Sequence, residues 1–317
     1  MTKLWKRSTI KSTLMPNWRN KKMLELNEKL IRKGKAVGLP YVGSKKKISK
    51  KIVEIIKQNF GTDKTVYDVF GGGGAITAEL MINGMDVVYN DLDKTITDMF
   101  NRVLSQDREW IKTLIVSRDK FFKILAKDNK SVDDELKILI NSFGNDRKTY
   151  CYGKQHSDIK FNLAIDIINK HDIFKNYKKT DTYKTIDIKH LGFETKQEKS
   201  RILQQFQGLQ QIERVQNLKQ NIKTSNEDYR YFSDIKDKIL YLDPPYENSE
   251  ISQYKAGINQ QEFYNWAFEM AKTNILLISS YEVSDPRFEV VYEFKKARST
   301  LSGGQGNKYE KLFMIKS

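Results

Sequence analysis

Apolar positions recur along this chain at two periods, and the switches between them mark out its elements. From Lys46 to Asn59 the residues Ile48, Ile52, Ile55 and Ile56 fall at helical spacing. Thr65–Phe70 is a short apolar run expected to form a strand; glycines 71–74 follow at once, and Ala75–Ile82 has the pattern of a helix. A second strand is expected over Asp86–Tyr89, and a helical pattern from Lys94 to Val116. The alternation then lapses. Residues 117–224 are polar and mostly helical, with segments Asp133–Ile140, Asp158–Ile168 and Lys199–Lys219. It resumes at Ile239–Leu242, short and apolar enough for a buried parallel strand. A helix Gln260–Lys272 and an apolar strand Ile275–Ser279 come next. Two strand-like runs, Phe288–Phe294 and Lys311–Ile315, then flank the Gly-rich stretch Ser302–Asn307. Strands alternating with helices argue for an α/β fold whose sheet ends in an antiparallel pair. The divisions expected are an extension over 1–37, a split main domain over 38–116 and 225–317, and an insertion over 117–224.

Composition narrows the classes of function. The chain has 317 residues, 39% hydrophobic and 30% charged, enough for a sizeable core. Without a run of 18 apolar residues or an apolar leader, it predicts neither a membrane span nor a secretory signal. One cysteine, Cys151, excludes an internal disulfide and fits a reducing cytoplasm. His156, His171 and His190 are scattered without cysteine partners at metal spacing, so no structural metal is expected. The net charge of +16 is uneven. Residues 1–60 hold 17 Lys and Arg against three Asp and Glu, a net of +14, which leaves +2 for the remainder. A basic block of this kind suits a phosphate-bearing partner, with a solvated tail as the plain alternative. Trp5 and Trp18 lie within it, placed either to stack on bases or to pack on the main domain.

Four stretches carry candidate chemistry. Asp243-Pro244-Pro245-Tyr246 follows directly on the Ile239–Leu242 strand. Two prolines stop the ladder and stiffen the loop, holding one carboxylate and one ring at the sheet's carboxyl edge. Asp243 and the Pro244 carbonyl suit the two hydrogens of a planar amino group, with Tyr246 stacked on its ring; a Pro-Pro turn with Asp243 as a helix cap is the plainer alternative. The glycines at 71–74 let the backbone approach a ligand, and Asp91, beyond the next strand, is placed to hold ribose hydroxyls. The spacing is neither a P-loop nor G-x-G-x-x-G, and fits a nucleoside or amino-acid ligand better than a pyrophosphate. Lys45, after a Gly-Ser turn, would favour an anionic group. In the insertion, the loop from Asn141 through Asn145 and Arg147 to Lys154 joins amide, aromatic and basic residues suited to base and phosphate contacts, or is simply a structured loop.

The order of these motifs resembles the Dam-type, alpha-class DNA adenine-N6 methyltransferases. Phe70-x-Gly72-x-Gly74 is similar to that family's F-x-G-x-G loop, Asp243-Pro244-Pro245-Tyr246 to its D-P-P-Y motif, and Tyr41-x-Gly43-Ser44-Lys45 to its W-x-G-G-K segment. Tyr41 stands where Trp is usual, and Ser44 where Gly is usual. The resemblance spans 38–317. It implies a Rossmann-like S-adenosylmethionine-dependent methyltransferase sheet with a terminal antiparallel hairpin and an inserted, mostly helical target-recognition domain. It further implies methyl transfer to a flipped-out adenine in duplex DNA. Asp243, Pro244, Pro245 and Tyr246 would be catalytic. Tyr41, Gly43, Lys45, Asp68, Phe70, Gly72, Gly74, Asp91, Asp228 and Tyr229 would bind the cofactor, Asp68 facing the methionine ammonium. Arg298 and Ser299 would join Asn141, Asn145, Arg147 and Lys154 at the DNA. The expected partner is double-stranded DNA, with no membrane, and the protein a monomer or weak dimer. An RNA or cytosine-N4 amino methyltransferase, and an idle DNA-binding protein on the same scaffold, remain as alternatives.

Overall fold

The structure, a computed structural model, describes residues 23–41, 44–185, 203–218, 222–247, 258–295 and 309–316. Its centre is the strand Ile239–Leu242 (β4), buried at every position. Successive side chains of a strand point to opposite faces. Ile239 and Tyr241 accordingly pack with Ile52, Ile55 and Ile56 of the helix Ser49–Phe60 (α1) and with Ile76 and Leu80 of Ala75–Ile82 (α2). Leu240 and Leu242 pack on the other face with Phe263, Ala267 and Met270 of a helix over Gln260–Ala271. Burial on both faces is why this strand reads as unbroken apolar sequence.

Among the described residues, seven strands form one sheet. Val66–Asp68 (β1), Val87–Asn90 (β2), Lys223–Ser225 (β3), β4 and Ile275–Ser280 (β5) run parallel; Phe288–Glu293 (β6) and Lys311–Ile315 (β7) close it antiparallel, in the order β3-β2-β1-β4-β5-β7-β6. The architecture is the mixed α/β sheet with a terminal antiparallel pair that the sequence pattern implied. β3 is a departure: Lys-Thr-Ser gives no apolar signal, because an edge strand needs none, and it begins inside the stretch expected to be helical.

Between β2 and β3 the described chain is helical. Lys94–Ser105 (α3) and Arg108–Lys112 (α4) occupy the span whose pattern is helical, in two pieces because the Asp107 carboxylate caps a new start by accepting from the Trp110 N–H at 2.9 Å. Arg118–Leu125 (α5) and Val132–Asn141 (α6) follow, α6 beginning with a Ser131/Asp134 capping box. Ser157–His171 (α7), the short Asp181–Lys184 (α8) and Gln205–Gln216 (α9) complete the block, and Gln260–Ala271 becomes α10. Phe100 and Val103 of α3 share one apolar cluster with Leu136 and Leu139 of α6 and Leu209 and Ile212 of α9. The helices after β2 thus bury their apolar faces against one another and against α3. Of the basic extension, the described part packs onto the sheet edge and onto α2: the Leu24 N–H donates to the Val291 carbonyl of β6 at 2.8 Å, and Arg32 forms a two-pronged ion pair with buried Glu79 of α2. Trp5 and Trp18 lie outside the described residues.

Candidate active site

The strand order reverses between β1 and β4, which pair directly with Asp68 opposite Tyr241. The loops leaving these two strands therefore emerge side by side at the carboxyl edge, the switch point where open α/β sheets bind ligands. One loop is the glycine turn; the other is Asp243–Tyr246. Asp68 keeps the face of Val66, toward α2. Its Oδ2 accepts from the Thr77 N–H at 3.1 Å and the Thr77 hydroxyl at 2.6 Å. Its Oδ1 is buried without a hydrogen-bond partner among the described residues. Burial pushes this carboxyl up to about 7, Thr77 opposing. An unsatisfied buried carboxylate oxygen is costly, and a ligand ammonium is the group that would relieve it.

The glycine turn is fixed from beneath. The Gly72 N–H donates to Asp91 Oδ2 and the Asp93 N–H to Asp91 Oδ1, each at 2.8 Å. The Tyr89 hydroxyl donates to the Gly72 carbonyl at 2.8 Å. Burial raises the Asp91 carboxyl, with these N–H groups opposing. Gly74 has a φ of +69°, and a Cβ there would lie 2.4 Å from the Phe100 ring. Only glycine satisfies both demands. From the other side Leu39 donates its N–H to the Gly73 carbonyl at 2.8 Å, which brings Tyr41 over the turn; a Cβ on Gly72 would meet the Tyr41 ring at 3.3 Å. Phe70 lies 6.3 Å from Tyr229 and 5.9 Å from Phe263, and Tyr229 packs 5.0 Å from Trp266. These rings give an apolar wall beside the turn. Asp228 is more exposed; it caps its own turn and pairs with Arg230 at 2.7 Å. The Asn90 amide ties three strand ends together, donating to the Val69 and Glu227 carbonyls and accepting from Glu227 N and Ser225 Oγ.

The Asp-Pro-Pro-Tyr loop is gripped by a polar chain. Lys45, only 8% exposed, places Nζ 2.6 Å from Asp243 Oδ1 and 3.7 Å from Glu310 Oε1, and donates to the Tyr246 hydroxyl at 2.5 Å. That hydroxyl donates onward to Glu310 Oε2 at 3.0 Å, and the Ser279 hydroxyl to Glu310 Oε1 at 2.8 Å. The Tyr246 ring lies against Tyr281 at 4.6 Å. Burial alone would lower the Lys45 ammonium, but Asp243 and Glu310 outweigh it and raise it, keeping the charge. Burial raises Asp243 to about 6 although Lys45 draws it down and Glu310 adds to the rise. Lys45, expected at an anionic ligand group, is thus turned toward the protein's own carboxylates. Glu310, Ser279, Tyr281 and Asn90 had no sequence signal of their own: a charged residue before an apolar strand has the look of a solvated edge.

The expected DNA contacts divide. Lys154 is exposed, and Asn145 sits at a φ of +62° on a loop whose tip exposes 62% of Phe143. Arg147 is half-buried and paired with Glu135. Asn141 is fully buried, a departure from its expected place at DNA. It donates to the Leu114 and Lys137 carbonyls and accepts from the Val116 N–H and from the Gln205 amide. Its amide satisfies the backbone where α6 ends, so it acts as a structural pin. Gly43, Arg298 and Ser299 lie outside the described residues. Among the described residues, no group of three or more His, Cys, Asp or Glu is placed to hold a metal ion, and no helix is long and apolar enough to cross a membrane.

The family model of the D12 class N6 adenine-specific DNA methyltransferases matches residues 41–276, well over half of the chain. The match runs from the Tyr41 segment through the glycine turn, the helical block and the Asp243 loop into β5. A comparison with curated proteins finds no match.

Proposed function

This chain belongs to the D12 class N6 adenine-specific DNA methyltransferases, and from that premise we propose how its own residues divide the work of adenine-N6 methylation. S-adenosylmethionine, the methyl donor that membership of the family implies, supplies an electrophilic sulfonium methyl. The residues at the glycine turn suit that molecule. Asp68, with its unsatisfied oxygen, would take the methionine ammonium; Asp91 would take the ribose hydroxyls; Phe70 and Tyr229 would wall the adenine. Gly72 and Gly74 let the backbone close on the methionine portion, and Tyr41 covers the turn from outside.

The target adenine has to leave the duplex, since its amino nitrogen is otherwise held in a base pair. On this reading Tyr246 stacks on the extruded ring. Asp243 and the Pro244 carbonyl accept the two amino hydrogens, drawing the nitrogen lone pair out of conjugation. Lys45 keeps Asp243 ionised as an acceptor. Orientation and a fixed electrostatic environment carry most of the acceleration. The helices between β2 and β3 would present the DNA-facing surface as an inserted recognition domain, with Asn145, Arg147 and Lys154 on its loop; Arg298 and Ser299 would add contacts from the β6–β7 connection. The strongly basic composition favours the duplex backbone. The observation that carries the assignment is the adjacency of the β1 and β4 loops, with Asp68 and Asp243 leaving neighbouring strands at one edge.

The test is incubation with unmethylated duplex DNA and S-adenosylmethionine, then digestion to nucleosides and mass analysis. N6-methyladenine is expected; N4-methylcytosine, or no product, would overturn the assignment of substrate. Asp243→Ala should still bind DNA and lose methylation by orders of magnitude, and full turnover in that variant would remove Asp243 from the chemistry.

A further inference from the structure

Resting on that reading of Tyr246, we propose that Glu310 is a positioning residue for methyl transfer, fixing the plane of the Tyr246 ring through its hydroxyl and anchoring it to the start of β7, two strands away along the same edge of the sheet. Glu310 stands immediately before β7, 64 residues beyond Tyr246. It is 4% exposed. Each carboxylate oxygen has one hydroxyl donor: Ser279 of β5 on Oε1 at 2.8 Å, Tyr246 on Oε2 at 3.0 Å.

The sheet does not call for a carboxylate there. The pairing that Glu310 makes as part of the ladder is through its backbone, its carbonyl accepting from Phe294 N at 2.9 Å. Burying an ion pair seldom stabilises a fold better than a packed apolar side chain would. Besides Lys45 and Ser279 on Oε1, the carboxylate meets one aromatic hydroxyl on Oε2, on the loop proposed to receive the base. That loop has no helix or ladder of its own across Asp243–Tyr246, so its ring needs an external hold. Glu310 and Lys45 supply it together at the hydroxyl. The Tyr246 hydroxyl accepts from Lys45 and donates to Glu310 in one chain, and Tyr281 limits the ring's swing at 4.6 Å. A ring fixed at its hydroxyl offers one face to the extruded base without losing rotamer freedom at the moment of binding. Lys45, touching Asp243 as well, ties the hydrogen-bond acceptor and the stacking ring to one another.

The experiment is a double-mutant cycle on the full chain with Glu310→Gln, Tyr246→Phe and both together. For each, kcat for N6-methyladenine formation, affinity for S-adenosylmethionine and affinity for duplex DNA are measured. Glu310→Gln preserves shape, so both affinities should stay within about twofold while kcat falls about tenfold or more. Tyr246→Phe should lose a similar factor. In the Tyr246→Phe background Glu310→Gln should cost less than about threefold more, because the hydroxyl it acts through is gone. A merely structural Glu310 would lower the melting temperature and leave the two losses to multiply; multiplying losses, or a Glu310→Gln kcat within twofold of wild type, overturn the proposal. If Glu310→Gln does not fold, Tyr246→Phe decides by itself: a kcat within twofold of wild type removes the hydroxyl, and with it Glu310, from positioning. Absence of N6-methyladenine from the wild-type enzyme would refute the reading of the site itself, whereas wild-type turnover with an unaffected Glu310→Gln refutes the role of Glu310 alone.

Discussion

Asp68→Asn should stabilise the ligand-free protein at pH 8 while weakening its hold on S-adenosylmethionine. The carboxyl is 1% exposed, and burial, with lesser contributions from Asp243 and Asp91 against the Thr77 hydrogen bonds, raises its pKa from 3.8 to about 7. Below the unfolded value both states are protonated and the site costs nothing. Between the two values the unfolded chain releases the proton and the native state keeps it, so stability falls as pH rises, levelling off above the folded value. A rise of about three pH units corresponds to about 4 kcal/mol at 1.36 kcal/mol per unit. Asn escapes that penalty but puts an amide where Asp68 Oδ1 has no partner among the described residues, at about 1–3 kcal/mol. The net gain at pH 8 should be about 1–3 kcal/mol. Its pH dependence is the sharper quantity. From pH 5 to pH 8 the gap between variant and wild type should widen by about 2–3 kcal/mol in favour of the variant. Urea melts of both proteins at the two pH values measure this. A gap that does not change with pH would refute the raised carboxyl, and an unaltered affinity for S-adenosylmethionine by calorimetry would remove Asp68 from the cofactor site.

Two further perturbations test the neighbouring parts. Lys45→Met keeps the aliphatic stem and removes the cation that draws Asp243 down, leaving Asp243 and Glu310 facing each other; Asp243 should rise beyond about 6, moving the acid limb of the pH–kcat profile upward by about one unit or more. Because a raised carboxyl costs stability above its unfolded pKa, this variant should also melt at lower urea at pH 8 than at pH 5, and losing one partner of a buried pair should cost about 3–5 kcal/mol; an unshifted acid limb would show that Lys45 does not govern Asp243. Gly74→Ala forces a side chain into a φ of +69° with its Cβ 2.4 Å from Phe100. Backbone strain of about 1–3 kcal/mol, plus displacement of a ring stacked 5.1 Å from Tyr89, should lower both melting and cofactor affinity; an unchanged melt would mean the turn is not held as described.

The elements that the sequence determined by itself are those whose cause is local. Ile239–Leu242 is apolar at every position because β4 is covered on both faces, and the prolines of the next loop end it wherever it lies in the sheet. The glycine turn ahead of Ala75 is legible because a positive φ is a property of single residues. Polar β3 left no mark, since an edge strand gains little by being apolar.

Tertiary structure alone decided what the polar side chains do. Lys45 looked free for a ligand, yet its ammonium meets a tyrosine hydroxyl 201 residues away. Asn141, placed among loop residues that suit DNA, turns inward to Leu114 and Val116 between α4 and α5 and to Gln205. Glu310 had no visible partner until the order β4-β5-β7 brought Ser279 and Tyr246 beside it. The physical reason is the range of the forces concerned. Backbone sterics and hydrophobic period act over a few residues and are written in the local pattern. A buried charge is satisfied by whichever side chain the chain's path brings within about 3 Å, and that path is set by the order of the strands.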